Sequence, residues 1–401
     1  MCDLGWAGGP FGGPRSTTAL PSRAESVRED LFADIATQVG RPRYGAKGVG
    51  ITYPLQRWTR GLSLLGYATA WIAPNPISIL AISTGRFARW TMLSHHVGHG
   101  GYDRVPDKPK HWSGKVWAHG ARRVVDWLDW MPMAAWQHEH NKMHHYRLGE
   151  IDDPDLVEVS AAFIRESRAP LFIKYILSFV AAITWKPLYY APTTLRSVAH
   201  AETKGTPKEV PVRGNYWSDW LPVSRVGREV WLKSWFPYIG FHYLLIPALF
   251  LLIGPWAAMS VLVNTLLAEL LTNLHAFFVV APNHTGDDLY RFSGPARGKD
   301  EFHLRQIVGS ANYACGNDVT DFLHGWLNYQ IEHHLFPRAT MLQYRRMQPD
   351  LKALCLKYGV PYVQESVWTR AWKTLDIMTG RTSMLRDYEY KEAAELSKAV
   401  G

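Results

Sequence analysis

The chain has 401 residues, of which 47% are hydrophobic, 13% aromatic and 20% charged, a composition that supports a large core and excludes disorder for most of the chain. The three cysteines (Cys2, Cys315 and Cys355) lie far apart without a Cys-x-x-Cys pair, which argues against a disulfide framework and a thiolate zinc site. The net charge of +9 fits either nucleic acid or anionic lipid as a partner. The 17 histidines are more informative, because most of them fall into tight clusters.

The N-terminal part of the chain, residues 1–45, is predicted to be a flexible tail. Residues 1–30 are rich in Gly, Ser, Pro and Arg and contain no apolar run. The first residues include no basic segment followed by an apolar one, so we expect no secretory signal peptide. A membrane domain is predicted over 46–370, and residues 371–401 are predicted to form a cytosolic C-terminal tail.

The first apolar block, 61–85, carries no charge and is interrupted by Pro74-Asn75-Pro76. A transmembrane helix needs about 20 apolar residues, and the Pro-Asn-Pro sequence is typical of a tight turn. We therefore predict two membrane helices, over about 54–73 and 77–100. A buried hairpin in a soluble protein is the alternative for this block.

A second uncharged block, 234–268, is divided by Gly254-Pro255 and predicts helices over about 236–253 and 256–281. The block is too long for an ordinary soluble core, so membrane insertion is strongly favoured. Glu269 lies inside the last of these helices. An ionisable group at that depth indicates a functional site or an ion pair within the helix bundle.

Residues 170–192 are also apolar and aromatic, but Lys174 and Lys186 interrupt them. The two lysines leave too short an apolar run for a crossing, so we predict an interfacial helix.

Four crossings place both termini on one side of the membrane. The two predicted turns between helices carry no Lys or Arg, so the basic residues lie on the opposite side, as the positive-inside rule requires. The positive charge is therefore attributed to membrane topology, and no nucleic-acid-binding motif supports the alternative. We expect an integral protein of a cell inner membrane or of the endoplasmic reticulum, with both termini and the active site in the cytosol.

Three histidine clusters lie on this predicted cytosolic side. The first is a His-x-x-x-His pair, whose spacing places both imidazoles on one helix face. The second is a His-x-x-x-His-His motif, the third is Gln-x-x-His-His, and a lone histidine follows the last predicted membrane helix. The eight histidines are His95 and His99, then His140, His144 and His145, then His284, and finally His333 and His334, which follow Gln330.

The combination of clusters points to a metal site, although each cluster alone could be a surface or core feature. Imidazole is a ligand for Fe, Zn and Cu. Eight imidazoles exceed the needs of one tetrahedral zinc and are sufficient for two irons with open positions. Two irons beside a bilayer indicate the activation of dioxygen against an unreactive C–H bond, which side chains alone cannot achieve.

The histidine pattern resembles that of the membrane-bound fatty acid desaturases. Their three boxes, His-x(3–4)-His, His-x(2–3)-His-His and (His/Gln)-x-x-His-His, all occur here in the same order. Residues 327–337 are similar to the third box of front-end and linoleoyl-CoA-type desaturases. Leu304-Arg305-Gln306, Asn312 and Asp153-Pro154-Asp155 also resemble family sequences. The resemblance covers about residues 50–370.

This resemblance implies an all-α integral membrane fold, with about four transmembrane helices and a cytosolic helical cap that holds a histidine-rich di-iron site. It implies that the eight histidines bind two Fe ions and that no further catalytic residue is needed. Gln330 stands where many members have histidine, and its role as a weak ligand, a water-mediated ligand or a hydrogen-bond donor is open. The other residues considered for the remaining ligand position are Asn273, His275, His324, His96 and His138; a structural role is the alternative for each of these histidines.

The expected reaction is the O2-dependent desaturation of an acyl-lipid or acyl-CoA. A di-iron lipid hydroxylase or epoxygenase on the same scaffold is the alternative, and a metal-binding or zinc-transporting membrane protein is a third hypothesis. The sequence contains no His-Pro-Gly-Gly haem motif, ferredoxin-type cysteine cluster or Rossmann motif. We therefore expect electrons from an external donor such as ferredoxin or cytochrome b5 with its reductase, and no nucleic-acid partner.

Overall fold

The chain is mostly helical in the computed structural model, which describes residues 30–35, 49–106, 108–213 and 216–387. Both chain ends lie outside the described residues, together with most of the predicted N-terminal tail and part of the predicted C-terminal tail. The helices are, in chain order, α1 Val49–Ala70, α2 76–98, α3 Arg122–Asp126, α4 133–147, α5 Val157–Ser160, α6 Ala162–Arg165, α7 Leu171–Thr203, α8 Tyr216–Trp220, α9 225–252, α10 Pro255–His284, α11 Lys299–Val308, α12 Asp318–Leu323, α13 Gln330–Leu335, α14 Met341–Lys357 and α15 Val367–Thr379.

Short strands tie the segments around the C-terminal helices together. They form two parallel pairs: β1 Tyr290–Arg291 with β4 Leu385–Arg386, and β2 Ala311–Asn312 with β3 Val363–Gln364. Each pair joins residues that are more than 50 positions apart in the sequence, as the registers Tyr290–Leu385 and Ala311–Val363 show.

Several long helices contain a π-type turn, which holds one more residue than an α-helical turn. In α2 this turn is Arg89–Ser94, directly before His95, and in α4 it is Glu139–His144, within the second histidine cluster. A wider turn changes which side chains share a helix face, and such turns are frequent at functional sites. The spacing of residues in the sequence predicts ordinary α-helical turns and gives no sign of these wider ones.

The predicted helix pair around the Pro-Asn-Pro turn is confirmed, since α1 ends at Ala70 and α2 begins at Pro76. The Asn75 side chain caps α2. Asn264 of α10 then holds the turn: its Nδ2 donates to the Ala70 carbonyl at 3.0 Å and its Oδ1 accepts from the Asn75 amide at 2.9 Å. These bonds give backbone groups of the turn partners within the protein.

Among the residues that the structure describes, three stretches are long and apolar enough to cross a membrane: α7, residues 217–252 and α10, with mean hydropathies of 1.4, 1.5 and 1.4. The predicted break at Gly254-Pro255 is confirmed, because α9 ends at Leu252 and α10 begins at Pro255. Arg57 and Arg60 lower the hydropathy of α1, which is not among these stretches. By length and composition α7 is thus a candidate crossing, whereas the sequence predicted an interfacial helix there.

The structure differs from the predicted domain boundaries at both ends. Helix α15 runs through residue 370, and β4 pairs with β1, so the described residues after 370 belong to the folded unit. In the predicted N-terminal tail, Leu31 and Ile35 are buried, and the Phe32 ring lies 4.3 Å from that of His303 in α11. Tertiary contacts with distant helices order these segments, and local composition does not reveal such contacts.

Helix α10 is the central helix, in contact with α2, α7, α9 and α15. Its buried Glu269 accepts four hydrogen bonds. Oε2 accepts from Arg86 of α2 at 2.7 Å and from the Tyr238 hydroxyl of α9, and Oε1 accepts from Trp130 Nε1 and Asn273 Nδ2 at 2.8 Å each. The ion pair predicted as one option for Glu269 is therefore present.

Replacing Glu269 with leucine should destabilise the protein by about 3–5 kcal/mol, because a buried Arg86 would lose its counter-charge. Thermal unfolding in detergent measures this as a lower Tm. Glu202→Leu is the matched control, since its pair with Arg225 is exposed and such pairs contribute about 0–1 kcal/mol. Equal Tm values for the two variants would contradict the structural role of the buried pair.

Candidate metal centre

The first histidine group joins three distant parts of the chain. His95 and His99 come from the end of α2, His140 from α4 and His333 from α13, and one ring nitrogen of each lies within 4.8 Å of the others. His95 Nε2 is 3.2 Å from both His140 Nε2 and His333 Nε2. Two nitrogens bound to one metal at about 2.1 Å are roughly 3.0–3.4 Å apart, so this spacing fits a shared ion.

The second group consists of His144, His284 and His334, whose ligand atoms also lie within 4.8 Å of one another. His144 is on α4, His284 ends α10, and His334 is on α13. Helix α4 therefore contributes to both groups through His140 and His144, which are four residues apart. Helix α13 does so through the adjacent His333 and His334.

His145 lies between the two groups. Its ring stacks on that of His334 at 4.2 Å and approaches those of His99 and His333 at 4.7 and 4.8 Å. Neither of its ring nitrogens has a hydrogen-bond partner. All eight clustered histidines are buried, so the two groups form one centre with His145 at the junction.

Four of these imidazoles are oriented by a hydrogen bond from the nitrogen that points away from the centre. His144 Nδ1 donates to Asp153 Oδ1 at 2.9 Å, and His334 Nδ1 donates to Gln306 Oε1 at 2.9 Å. The remaining two bonds run from His284 Nδ1 to the Gly309 carbonyl and from His333 Nδ1 to the Tyr344 hydroxyl, at 3.1 Å each. A proton on Nδ1 leaves Nε2 with a free lone pair, which is the form that binds a metal.

Helix α13 is held in place by Asn312. Its Oδ1 accepts from the Ile331 amide at 2.9 Å, and its Nδ2 donates to Glu332 Oε2 at 2.8 Å. Burial raises the pKa of Glu332 to about 7, although hydrogen bonds from Tyr362 and Asn312 oppose the shift. Asn312, which belongs to strand β2, thus fixes the helix that carries the third histidine cluster.

The electrostatics of the centre favour neutral imidazoles. Burial lowers the pKa of His333 and His334 well below the usual range, and neighbouring imidazoles lower it further. His144 is the exception: burial lowers its pKa, but the Asp153 carboxylate more than compensates, so the net shift is upward. Metal binding requires the neutral ring, so this arrangement is suited to binding cations.

Buried nitrogens without partners provide a test of whether a metal fits. His99 Nε2, His334 Nε2 and both nitrogens of His145 are buried without a hydrogen bond. An unsatisfied buried polar atom costs about 1–3 kcal/mol. Convergent unsatisfied imidazole nitrogens are what a late first-row metal would bind, so the residues fit the ions that the sequence implies.

Gln330 is part of the centre. Its Nε2 is 2.8 Å from His284 Nε2, and its Oε1 accepts from Asn283 Nδ2 at 3.2 Å. Exchanging the amide oxygen and nitrogen would present an oxygen to the second group instead, because the two atoms occupy equivalent positions.

Asn273, His275 and His324, which were also considered for the remaining ligand position, make hydrogen bonds away from the two histidine groups. Asn273 donates to Glu269 and accepts from the Lys186 amide at 3.1 Å. His275 Nε2 donates to the Leu323 carbonyl at 2.7 Å, and His324 Nδ1 donates to the Thr320 carbonyl at 2.7 Å. Neither of these two histidines belongs to a candidate metal group among the described residues.

Two more histidines were considered for the remaining ligand position. Of these, His96 is fully buried beside the centre, with its ring 5.2 Å from that of His95. His138 is half-buried and belongs to neither group.

The orienting residues were not assigned roles from the sequence. Asp153, Gln306 and Asn312 lie in segments that resemble family sequences, and this resemblance could have indicated that they act at the site. Tyr344 and Gly309 carry no such signal, because their contact with a histidine arises only through tertiary packing. Asp155 also approaches the centre and could complete a third group with His140 and His144.

Comparison with known proteins identifies the family. The family model named fatty acid desaturase matches residues 69–366, which include all eight clustered histidines. The chain belongs to the fatty acid desaturase family.

Individual relatives match over different spans. The Delta(8)-fatty-acid desaturase 2 of Arabidopsis thaliana is 34% identical over 105 residues, which is 26% of this chain and 22% of that protein. The NADPH-dependent stearoyl-CoA 9-desaturase of Mycobacterium tuberculosis (strain ATCC 25618 / H37Rv) is 24% identical over 335 residues, or 77% of this chain and 72% of that protein. The chain thus matches about a fifth of the length of the Arabidopsis protein. No solved structure gives a significant match.

Substituting Asp153 with asparagine should lower iron occupancy when iron is limiting, because the His144 ring loses its charged acceptor. Loss of such an orienting group typically weakens metal affinity by about 10–100-fold. Iron per chain, measured by mass spectrometry after purification, checks this. Asp152→Asn is the control, because Asp152 is exposed and pairs with Arg147. Full iron loading of Asp153→Asn would refute the orienting role.

Proposed function

We propose that the chain is an O2-dependent di-iron desaturase that introduces a double bond into a fatty acyl chain. The observation that carries the proposal is the convergence of eight buried imidazoles in two groups that meet at His145. The match to the fatty acid desaturase family supports the same reaction class.

The geometry supports a division of ligands between two irons. His95, His99, His140 and His333 would hold one ion, and His144, His284 and His334 would hold the other, with Gln330 beside it. His145 is placed to complete either set. Iron in this site would supply the oxidising power of activated dioxygen, which protein side chains lack.

The chain's own residues hold and protect this site. Asp153, Gln306, Tyr344 and the Gly309 carbonyl orient the rings. The Trp136 ring stacks on His140 at 4.6 Å, and its indole nitrogen donates to the Tyr190 hydroxyl at 3.0 Å. This aromatic wall excludes water from one side of the centre, as an oxidation of an apolar chain requires.

The membrane arrangement that we propose has four crossings, α1, α2, α9 and α10, below a cytosolic helical cap. His95 ends α2 and His284 ends α10, and both belong to the same centre, so these helices finish on one side. Because α10 finishes there, α9 must begin there. Both termini would then lie on the site side, in the cytosol according to the charge bias.

The direction of α9 and α10 also supports an interfacial position for α7. A single crossing by α7 would begin α9 on the wrong side for His284 to reach the centre. Both ends of α7 also contact the site side: Lys174 donates to the Arg165 carbonyl at 2.7 Å, and residues 191–203 pack against α4. Its Trp185 meets α10 at Asn273, near the site end of that helix.

The partners follow from this reaction. The matched relatives are named for stearoyl-CoA, linoleoyl-lipid and other acyl substrates, and we propose an acyl-lipid or acyl-CoA substrate here. Removal of two hydrogens with reduction of dioxygen to water needs electrons, for which we propose an external protein donor such as ferredoxin or cytochrome b5. The host membrane would be a cell inner membrane or the endoplasmic reticulum.

Expression in a host of known lipid composition, with an electron donor supplied, should yield a new fatty acid two mass units lighter than a host fatty acid. Gas chromatography–mass spectrometry with double-bond location measures the product and its position. His144→Ala with His145→Ala should abolish the product, because both rings belong to the proposed centre.

His138→Ala is the matched control, since His138 lies in the same helix but outside both groups; it should retain the product. A product sixteen mass units heavier would replace desaturation with hydroxylation or epoxidation. A desaturated product that persists in the His144/His145 variant would contradict the proposed metal centre. Purified protein that contains zinc in place of iron would favour the hypothesis of a zinc-transporting protein.

A further inference from the structure

Two helices of the cap expose apolar side chains that no packing in the described residues explains. On α12, Val319 and Leu323 are 69% and 52% exposed, and on α15, Trp368 and Trp372 are 68% and 64% exposed. Each pair is spaced by four residues and so shares one helix face. We call these four residues the collar. Large exposed apolar patches mark surfaces that bind a partner or a membrane.

Both helices touch α10 at the same height. The Leu323 carbonyl accepts from His275 at 2.7 Å, and the Trp368 ring lies 5.9 Å from that of Phe278. His275 and Phe278 are less than one helical turn apart, so the two helices that carry the collar meet α10 at one level near its site end.

The distance from this level to the other end of α10 matches the thickness of the hydrocarbon core of a bilayer. At the other end of α10, Trp256 is 64% exposed. It lies 19–22 residues before His275 and Phe278, which is about 30 Å at 1.5 Å per residue. The hydrocarbon core of a bilayer is also about 30 Å thick, and tryptophan is enriched at both of its boundaries.

The opposite face of α15 is fixed to the metal centre. Arg370 is fully buried; its guanidinium donates to the Thr285 carbonyl at 2.8 Å and to the Pro282 carbonyl at 3.3 Å, and it pairs with Asp288. These carbonyls flank His284. A Cβ on Gly286 would lie 2.5 Å from Arg370, so glycine is required for this close approach.

We propose that the collar is a lipid-docking surface, in which Trp368, Trp372, Val319 and Leu323 enter the boundary between headgroups and acyl chains. This rests on the membrane placement in the proposed function. Since Arg370 ties α15 to the turn of His284, the collar fixes the height of the centre relative to the headgroups. A lipid surface, and not a protein, is indicated by the shared height of α12 and α15 and by its distance from Trp256.

Spin labels test the collar directly. Trp372→Cys and Val319→Cys, each carrying a nitroxide in lipid nanodiscs, should collide with O2 several-fold more often than with a water-soluble nickel chelate, as measured by power saturation. Leu356→Cys, on α14 and 83% exposed, should show the reverse. Wild-type protein treated in the same way gives the background from native cysteines.

Accessibility of either collar position to nickel equal to that of Leu356→Cys would overturn the proposal and leave the surface open to a protein partner. Trp368→Cys is a second variant on α15 if Trp372→Cys folds poorly. The readout needs neither iron nor turnover, so loss of the proposed desaturase activity would leave the labelling result unchanged.

Discussion

The rest of the structure depends on keeping eight imidazoles buried, neutral and pointed at one another. Burial lowers the pKa of every one of them except His144, whose pKa the Asp153 carboxylate raises. The outward nitrogens of four of them have protein acceptors, so their inward nitrogens carry free lone pairs. In the absence of a metal, each buried nitrogen without a partner costs about 1–3 kcal/mol. Metal binding removes this cost, so the stability of the cap and the occupancy of the centre are coupled.

This constraint explains why α10 is so heavily cross-linked. Three of its polar residues act at three depths: Asn264 holds the far turn, Glu269 pairs with Arg86, and His284 reaches the centre. A helix that only crossed the membrane could slide or rotate against its neighbours. Polar contacts inside the bundle fix its height and rotation, and His284 is thereby delivered to a position that His144 and His334 also reach.

The sequence predicted the parts of the centre that depend on local spacing. The i, i+4 pair in α2 and the motifs in α4 and α13 place their histidines together whatever the rest of the fold does. The helix ends at Pro76 and Pro255 were predictable for the same reason, because proline and glycine act on their own backbone. Bonds such as Tyr344 to His333 were not, since they join residues from different helices.

Asn273 and His275, which were considered for the remaining ligand position, lie apart from the two histidine groups for a geometric reason. Asn273 and His275 precede His284 by two to three turns of α10, which is about 14–17 Å along the axis. That distance places them away from the end of α10 that reaches the centre. The π-type turns, in contrast, act within the histidine clusters, and the regular spacing that sequence analysis assumes has no means of predicting them.

Lys186 is one of the two lysines of α7 that led to the prediction of an interfacial helix, because they leave too short an apolar run for a crossing. Yet Lys186 is buried; its Nζ pairs with Asp129 at 2.8 Å and lies 4.6 Å from the Trp90 ring. The charge is satisfied by protein, and Asn273 links its backbone to Glu269. Two buried ion pairs are thus joined through one amide, which anchors α7 to α10 beneath the centre. The proposed interfacial placement of α7 therefore rests on this anchoring and on the direction of α10, and the solvation of its lysines contributes little to it.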